Sequence, residues 1–238
     1  MDAGPLAGPW QFGVTVPAWI AGIDGNVTVL GHQQDVNVDF NTLREHLDQS
    51  LSLGLNVRKG RLGIYGDVGY MKFSGGFNGP FGGNTSANLK FLVSDGGLSY
   101  VLFKAGDERP FVLSANAGVR YWYTDTSLTF HGPLGNVVLS GGKTRDIVDP
   151  VLGLSASQFL TRKLHLDFSV DGGGFDINND TDWTWSATGV VTYDIWRWLS
   201  VSAGYKALAL DEASGSGGNK NGVNLIFNGV LIAAQIKF

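Results

Sequence analysis

The stretch that decides the fold is Gly229-Val230-Leu231-Ile232-Ala233-Ala234-Gln235-Ile236-Lys237-Phe238, at the end of the chain. One set of alternate positions is entirely apolar: Val230, Ile232, Ala234, Ile236 and Phe238. The offset set is mixed and includes Gln235 and Lys237. Because successive side chains of a strand point to opposite faces, this pattern predicts a strand with one apolar face and one partly polar face.

The composition of the 238 residues favours a membrane barrel made of one domain, residues 1–238, with the barrel itself over 9–238. Charged residues make up 16%, against about 25% in a typical soluble domain. Glycine (35 residues) and aromatics (12%) are abundant. The sequence has no apolar run long enough for a transmembrane helix, and it has no cysteine for disulfides or thiolate chemistry. The net charge of −4 gives no reason to expect nucleic acid as a partner.

Segments of alternating hydrophobicity recur ten times, and the connections between them are alternately short and long. The predicted strands are 9–20, 48–58, 61–73, 86–103, 109–125, 146–161, 162–173, 183–195, 197–210 and 223–238. The predicted long connections are 21–47, 74–85, 126–145, 174–182 and 211–222. This layout predicts an all-β fold, a transmembrane antiparallel up-and-down β-barrel with short periplasmic turns and long extracellular loops. Ten strands are expected, with eight or twelve as alternatives, and an even number places both termini in the periplasm.

Two segments depart from the regular pattern. The alternation in 86–103 breaks around Ser94-Asp95-Gly96-Gly97, which predicts a β-bulge. In the long first loop, residues 39–48 predict a short helix capped by Asn41 or Asp39. That helix could cover the barrel mouth, enter the lumen as a plug, or remain an ordinary surface helix.

The polar positions of the strands predict a charged lumen. The expected lumen-lining residues are Asn56, Asp67, Asn116, Arg120, Asp149, His165, Asp167, Asp171, Lys206 and Gln235. Unpaired charges inside a narrow tube are costly, so these groups are expected to form buried networks. Two interpretations stay open: a small polar pore that selects solutes, or a closed barrel filled by ion pairs.

Aromatic residues predict belts at both membrane interfaces. The expected interface aromatics are Trp10, Trp19, Tyr70, Tyr123, Trp183, Trp185, Tyr193, Trp196, Trp198 and Phe238. Trp10, Tyr193, Trp196 and Trp198 are placed near the periplasmic rim, and Trp19, Tyr70, Tyr123, Trp183 and Trp185 near the outer rim.

Catalytic and metal sites are not expected. His165 with Asp167 and Asp171 permits a hydrolase hypothesis, but no serine motif accompanies them and His165 lies near the periplasmic start of its strand. The acidic loop from Asp176 to Asp182 could hold calcium, although Asx turns explain the same residues. The sequence therefore predicts no enzyme, no metal and no cofactor.

Several segments resemble a widespread family of uncharacterised proteobacterial outer-membrane β-barrels, broadly OmpA/OmpW-like. They are the opening Trp10 to Trp19, Asp149 to Leu154, Asp171 to Phe175, Gly204 to Leu208, and Gly229 to Phe238. Lys206 stands where that family more often has arginine, and the last stretch lacks the family's Gly-Pro pair.

The resemblance implies location in the outer membrane, with outer-membrane lipid and lipopolysaccharide as surroundings and detergent in vitro. It also implies recognition of the closing strand by the outer-membrane assembly machinery. The opening residues Met1 to Pro5 lack the regions of a signal peptide, so we expect that peptide to have been removed. We expect a monomer acting as a narrow polar channel or a closed structural barrel. The alternatives are a loop-based adhesin or ligand-binding barrel and, less favoured, a hydrolase. OmpW-like members of the family suggest passage of small hydrophobic molecules, but the charged lumen expected here argues against that function.

Overall fold

The computed structural model describes residues 6, 8–29, 32–38, 40–78, 84–131, 137–174, 183–214 and 221–238. The elements are β1 (Trp10–Val29), β2 (His32–Val38), α1 (Phe40–Glu45), β3 (Leu47–Lys59), β4 (Leu62–Asn78), β5 (Asn84–Ala105), β6 (Phe111–His131), β7 (Val137–Phe159), β8 (Leu164–Gly174), β9 (Trp183–Trp196), β10 (Leu199–Ser214) and β11 (Asn221–Lys237). Within the described residues, no helix has the length and apolar character needed to cross a membrane.

Ten of these strands form a closed antiparallel barrel, which confirms the predicted fold class and strand number. Neighbours along the chain pair with one another, and β1 closes the barrel against β11 from Gly13 opposite Lys237 to Thr28 opposite Gly222. The additional strand β2 pairs only with the upper part of β1, from Ile23 to Val29. We call the end with the short turns, where β1 begins and β11 ends, the turn end, and the opposite end the loop end.

The outer surface carries an apolar band of the height that a bilayer requires. On β11 the outward side chains from Phe238 to Val230 are apolar and exposed. The nine residues 230–238 match the roughly 9–11 residues that a tilted strand needs to cross a bilayer. The band ends at a polar chain on the outer face, where Tyr205 donates to Asn228 and Asn228 donates to Asp24.

The strands continue well beyond this band at the loop end. A spanning strand needs about 9–11 residues, whereas β6 has 21 residues and β7 has 23. The predicted ends at 125 and 146, and the assignment of 21–47 to a loop, were therefore wrong. In β6 and β7 the runs Thr124-Asp125-Thr126-Ser127 and Ser140-Gly141-Gly142-Lys143-Thr144-Arg145-Asp146 contain no large apolar residue, so pairing continues there without a hydrophobic alternation in the sequence. We call this projecting part the collar.

The β-bulge predicted at Ser94–Gly97 is absent, and the ladders there are uninterrupted. The register shift in β5 lies between Val101 and Phe103 instead. The glycines have a different role: a Cβ on Gly97 or Gly118 would lie within 2.9 Å of the Tyr65 hydroxyl. They leave room for the Tyr65 side chain inside the barrel, so glycine there indicates close packing rather than a bulge.

The predicted helix is shorter than expected. It ends at Glu45, and Leu47 and Asp48 already belong to β3. The Asp48 carboxylate accepts a hydrogen bond from Ser74 at 2.8 Å and lies 3.4 Å from the Lys72 ammonium, so contacts to β4 draw this segment into the sheet. Asp39, one of the two predicted caps, lies outside the described residues.

The wall is interrupted between β1 and β3. Their ladder ends at Thr15 opposite Gly54. Beyond that pair, residues 16–22 of β1 and 47–53 of β3 face each other, and among the described residues neither segment has a strand partner on that side. Phe12 exchanges both backbone hydrogen bonds with Phe238, the residue that follows β11, so the backbone groups of odd-numbered residues of β1 point towards β3. Pro17 occupies such a position and has no N–H to donate. We call this interruption the β1–β3 seam.

Candidate functional site

Four charged residues occupy one level of the barrel interior. Asp67 is opposite Asp95, Asp95 is opposite Arg120, and Arg120 is opposite Asp149, on the adjacent strands β4 to β7. Directly opposite side chains of neighbouring antiparallel strands project to the same face. The register therefore brings residues that are distant in sequence into one row on the lumen wall.

Arg120 is the centre of this level and is 2% exposed. Its Nε donates to Asp95 Oδ1 at 2.7 Å and its Nη2 donates to Asp171 Oδ1 at 2.9 Å. Nη1 donates to the Thr184 hydroxyl at 3.2 Å, and Ser186 donates to the second oxygen of Asp171. One guanidinium thus connects β5, β8 and β9 to β6 in a charge-assisted network.

An apolar layer lies above this network, towards the loop end. Its buried members are Phe91, Val93, Trp122, Ile147, Leu208 and Phe227, with Trp19, Ile23, Met71, Leu210 and Leu225 packed against them. The rings of Phe91 on β5 and Phe227 on β11 stack with centroids 5.2 Å apart. Even by the shorter way around the barrel, three strands (β1, β3 and β4) lie between β11 and β5. This contact crosses the lumen.

Further polar contacts adjoin the apolar layer. Trp122 Nε1 donates to Asp149 Oδ2 at 3.1 Å, which links the layer to the charged level. Arg145 of β7 forms an ion pair with the buried Glu212 of β10, across β8 and β9 in the strand order.

The turn end of the lumen holds a separate hydroxyl-rich cluster. His165 Nε2 lies 3.3 Å from Asp167 Oδ2, and its ring stacks on Phe159 with centroids 4.5 Å apart. Asp167 also accepts hydrogen bonds from Ser157 at 2.6 Å and Thr192 at 2.8 Å. Asp171, the third member of the hydrolase hypothesis, instead binds Arg120, so the structure does not bring the three groups together.

The remaining predicted lumen residues are spread along the tube. Asn116 donates to Ser155 at 3.2 Å and Gln235 donates to Thr15 at 3.2 Å. Asn56 lies beside Gly13 near the turn end. The Lys206 ammonium lies 5.4 Å from the centre of the Trp19 ring.

Sequence reasoning missed Asp95 and the apolar layer. The expected bulge made the face of Asp95 ambiguous, whereas the uninterrupted ladder directs it at Arg120. The layer had a signal: Phe91-Leu92-Val93 and Leu225-Ile226-Phe227 are apolar at successive positions, so both faces of those strands are apolar. Such runs indicate burial on both sides of a sheet.

The interface aromatics are placed as predicted only in part. Trp10, Trp196, Trp198, Tyr193 and Phe238 are exposed near the turn end. Trp183 is exposed at the loop-end start of β9, and the backbone alternation also directs Tyr70, Tyr123 and Trp185 outward. Trp19 was assigned wrongly, because its position opposite Leu231 directs it into the lumen against the apolar layer.

Among the described side chains, no group of three or more His, Asp or Glu residues could hold a metal ion. The acidic loop considered for calcium, from Asp176 to Asp182, lies outside the described residues.

Comparison with solved structures finds outer-membrane β-barrels. The outer membrane protease OmpT of Escherichia coli matches with a TM-score of 0.59 at 10% identity, covering 100% of this chain and 99% of that chain. A major outer membrane protein from Thermus thermophilus gives a TM-score of 0.41 at 15% identity, covering 97% and 100%. The outer membrane protein OprG from Pseudomonas aeruginosa gives a TM-score of 0.40 at 16% identity, and the match covers 99% of this chain and 98% of that chain.

Comparisons with protein-family models and with curated proteins found no match. The likeness to OmpT shows the fold, and the apolar band and exposed aromatics give that fold a lipid-facing surface. Together these features identify an integral outer-membrane β-barrel.

Proposed function

We propose that this outer-membrane barrel does not conduct ions and that it acts through its collar, as a surface for binding extracellular partners. The stacking of Phe91 on Phe227 across the lumen is the observation that carries the first part. An ion passing this level would have to displace an apolar layer that offers it no coordinating groups.

The charged level supports the same conclusion. A conducting pore needs a continuous polar path, and Arg120 would be its natural selectivity group. Its guanidinium is instead 2% exposed and bound to two carboxylates. Displacing it would leave buried charges without partners, so the network acts as a structural crosslink between strands.

The collar supports the second part of the proposal. With β6 and β7 far longer than a bilayer requires, the barrel projects beyond the apolar band at the loop end. The extracellular placement of this end follows from the expected periplasmic termini. A rigid projecting sheet positions loops for recognition, and loops on rigid scaffolds are where binding residues concentrate.

Planar-bilayer recording tests the closure. The wild-type protein is expected to give no conductance steps, whereas removing the Phe91 and Phe227 rings by alanine substitution is expected to produce small ones. The matched control replaces two lipid-facing residues of the same strands, Leu98 and Ile232, by alanine. Steady conductance by the folded wild-type protein would refute the closed lumen.

Collar function is tested by trimming the β6–β7 hairpin. Asp125 and Thr144 are register partners just above the apolar band, so joining them by a short turn removes collar and keeps the barrel. Attachment of expressing cells to immobilised glycans and proteins is the measurement. Identical attachment by full-length and trimmed proteins across the panel would argue against a binding role.

A second candidate function is supported by the β1–β3 seam. Residues 16–22 and 47–53 face each other without pairing, beside the apolar Trp19 and Ile23 of the lumen. Such an opening offers apolar molecules a lateral path between the lumen and the bilayer. In membrane barrels an unpaired strand edge is otherwise avoided, because its backbone groups find no hydrogen-bond partner in lipid.

Engineered cysteines test this path, because the sequence contains no other thiol. Oxidising Ala18→Cys/Leu51→Cys across the seam is expected to lower uptake of an apolar fluorescent dye by cells. The control Val14→Cys/Leu55→Cys joins residues already paired in the ladder and should leave uptake unchanged. Equal uptake before and after crosslinking of the seam would remove this candidate.

A further inference from the structure

Basic side chains surround the turn end of the barrel. Each of the four described turns carries at least one: Lys59 and Arg61, Lys104 and Arg109, Arg162 and Lys163, and Arg197. All of these except the half-buried Lys59 are exposed. We call them the turn-end cations.

Acidic groups do not balance the turn-end cations. In the described turns and strand ends, the acids at this end are Asp107, Glu108 and Asp194. Asp194 is bound to the Lys237 ammonium at 2.6 Å. Glu108 lies 4.0 Å from Arg162, but both side chains are more than 80% exposed, and such a pair contributes little. The turn end therefore presents net positive charge.

The exposed aromatics of the same rim set the depth of these cations. The Lys59 ammonium lies 5.0 Å from the centre of the Trp10 ring. Trp196 and Trp198, which flank Arg197 in the sequence, stack on each other with centroids 5.3 Å apart. Tryptophan at a membrane surface lies at the level of the lipid headgroups. The neighbouring ammonium and guanidinium groups are therefore at the depth of the lipid phosphates, which long basic side chains reach by extending outward.

The opposite edge of the apolar band differs. The Lys90 ammonium lies 2.9 Å from Asp125, and the Lys72 ammonium lies 3.4 Å from Asp48, so the cations there already have acidic partners. Among the described side chains, unbalanced positive charge is consequently found at the turn end and not at the loop-end edge of the band.

We propose that the turn-end cations bind the phosphate groups of anionic phospholipids in the leaflet that surrounds this end. The chemistry is charge-assisted hydrogen bonding from guanidinium and ammonium groups to phosphate oxygens. The interaction is independent of transport or adhesion. It fixes the depth of the barrel in the bilayer, and it favours the orientation in which the turn end lies in a leaflet of anionic lipid. A basic residue near an anionic membrane surface contributes about 1 kcal/mol, or about a fivefold change in association.

Tryptophan quenching by brominated lipids measures this preference in the full-length protein reconstituted in bilayers. Brominated chains quench nearby indoles, and Trp10, Trp196 and Trp198 lie at the turn end. At low salt, brominated phosphatidylglycerol is expected to associate several-fold more strongly than brominated phosphatidylcholine. At about 1 M salt, where the screening length is about 3 Å, the two lipids should become nearly equal.

Three variants distinguish charge from other effects. The turn-end variant replaces four cations by glutamine: Arg109→Gln, Arg162→Gln, Lys163→Gln and Arg197→Gln. The charge-preserving variant carries Arg109→Lys, Arg162→Lys and Arg197→Lys, and the loop-end control carries Lys72→Gln and Lys90→Gln. We expect the ratio of phosphatidylglycerol to phosphatidylcholine association to fall at least threefold in the turn-end variant and to stay unchanged in the other two. Folding of every variant is checked by the mobility shift of unheated protein in detergent gels.

Equal association of the two lipids with the wild-type protein at low salt would overturn the proposal. So would a preference that survives in the turn-end variant, or one that disappears equally in the loop-end control. Binding of soluble polyglutamate to the turn end with no lipid preference would assign these cations to an acidic polypeptide partner, and would also overturn it.

Discussion

Replacing Arg120 by methionine should strongly destabilise the barrel. The substitution keeps much of the side-chain length but removes every hydrogen bond from the guanidinium to Asp95, Asp171 and Thr184. Because the site is 2% exposed, water cannot replace those donors without opening the lumen. Removing one partner of a buried ion pair costs about 3–5 kcal/mol, and two carboxylates lose their partner here. We expect a loss of about 4 kcal/mol in the free energy of unfolding.

Urea unfolding of the protein in phospholipid vesicles, followed by circular dichroism, measures this loss. The vesicles are zwitterionic phosphatidylcholine, so the turn-end cations have no anionic lipid to bind. Arg162→Met is then the matched control, since Arg162 is 87% exposed and its substitution should stay within about 0.5 kcal/mol of the wild type. The double variant Arg120→Met/Asp171→Asn should recover about 1 kcal/mol or more, because it also removes one uncompensated charge.

The reasoning would be refuted by a folded Arg120→Met protein whose free energy of unfolding lies within about 1 kcal/mol of the wild type. Such a result would mean that the lumen admits enough water to solvate the two carboxylates. No recovery in the double variant would refute the assignment of the loss to uncompensated charge.

Two further substitutions test packing in the lumen. Gly97→Ala is expected to cost about 1–3 kcal/mol of unfolding free energy, because the new methyl group would lie 2.4 Å from the Ala117 carbonyl oxygen and 2.8 Å from the Tyr65 hydroxyl. Gly66→Ala on the neighbouring strand meets no atom closer than 3.8 Å and should be nearly neutral, so equal losses would contradict this explanation. Trp122→Phe is expected to cost about 1–3 kcal/mol, because it removes the hydrogen bond to Asp149 and leaves a gap in the apolar layer. Urea unfolding measures this variant as well, and stability unchanged from the wild type would mean that the layer is loosely packed.

The apolar band was predictable from sequence because its signal is local. Val230, Ile232 and Ile236 face lipid on β11, and the polar offset residues face the lumen, as the period of two indicates. Arg120 could be assigned to the lumen for the same reason. Its partner Asp95 could not, because Gly96 and Gly97 resemble a bulge in the sequence, whereas the ladder is regular there and Gly97 is a close-packing position.

The collar and the apolar layer escaped prediction for a different reason. Alternation is visible only where one face meets lipid and the other meets polar groups. Phe91-Leu92-Val93 is apolar on both faces, and in the collar neither face need be apolar, so the period of two fades in both places although the ladder continues.

The sequence by itself determined the up-and-down order and the face of most residues within the apolar band, and it favoured ten strands over eight or twelve, because these follow from periodicity along single strands. Only the tertiary structure decided that Phe91 meets Phe227, that Arg120 joins Asp95 to Asp171, and that β1 and β3 separate beyond Thr15. Those contacts depend on register between strands and on the diameter of the closed barrel. Both are non-local quantities, set when the ten strands close against one another.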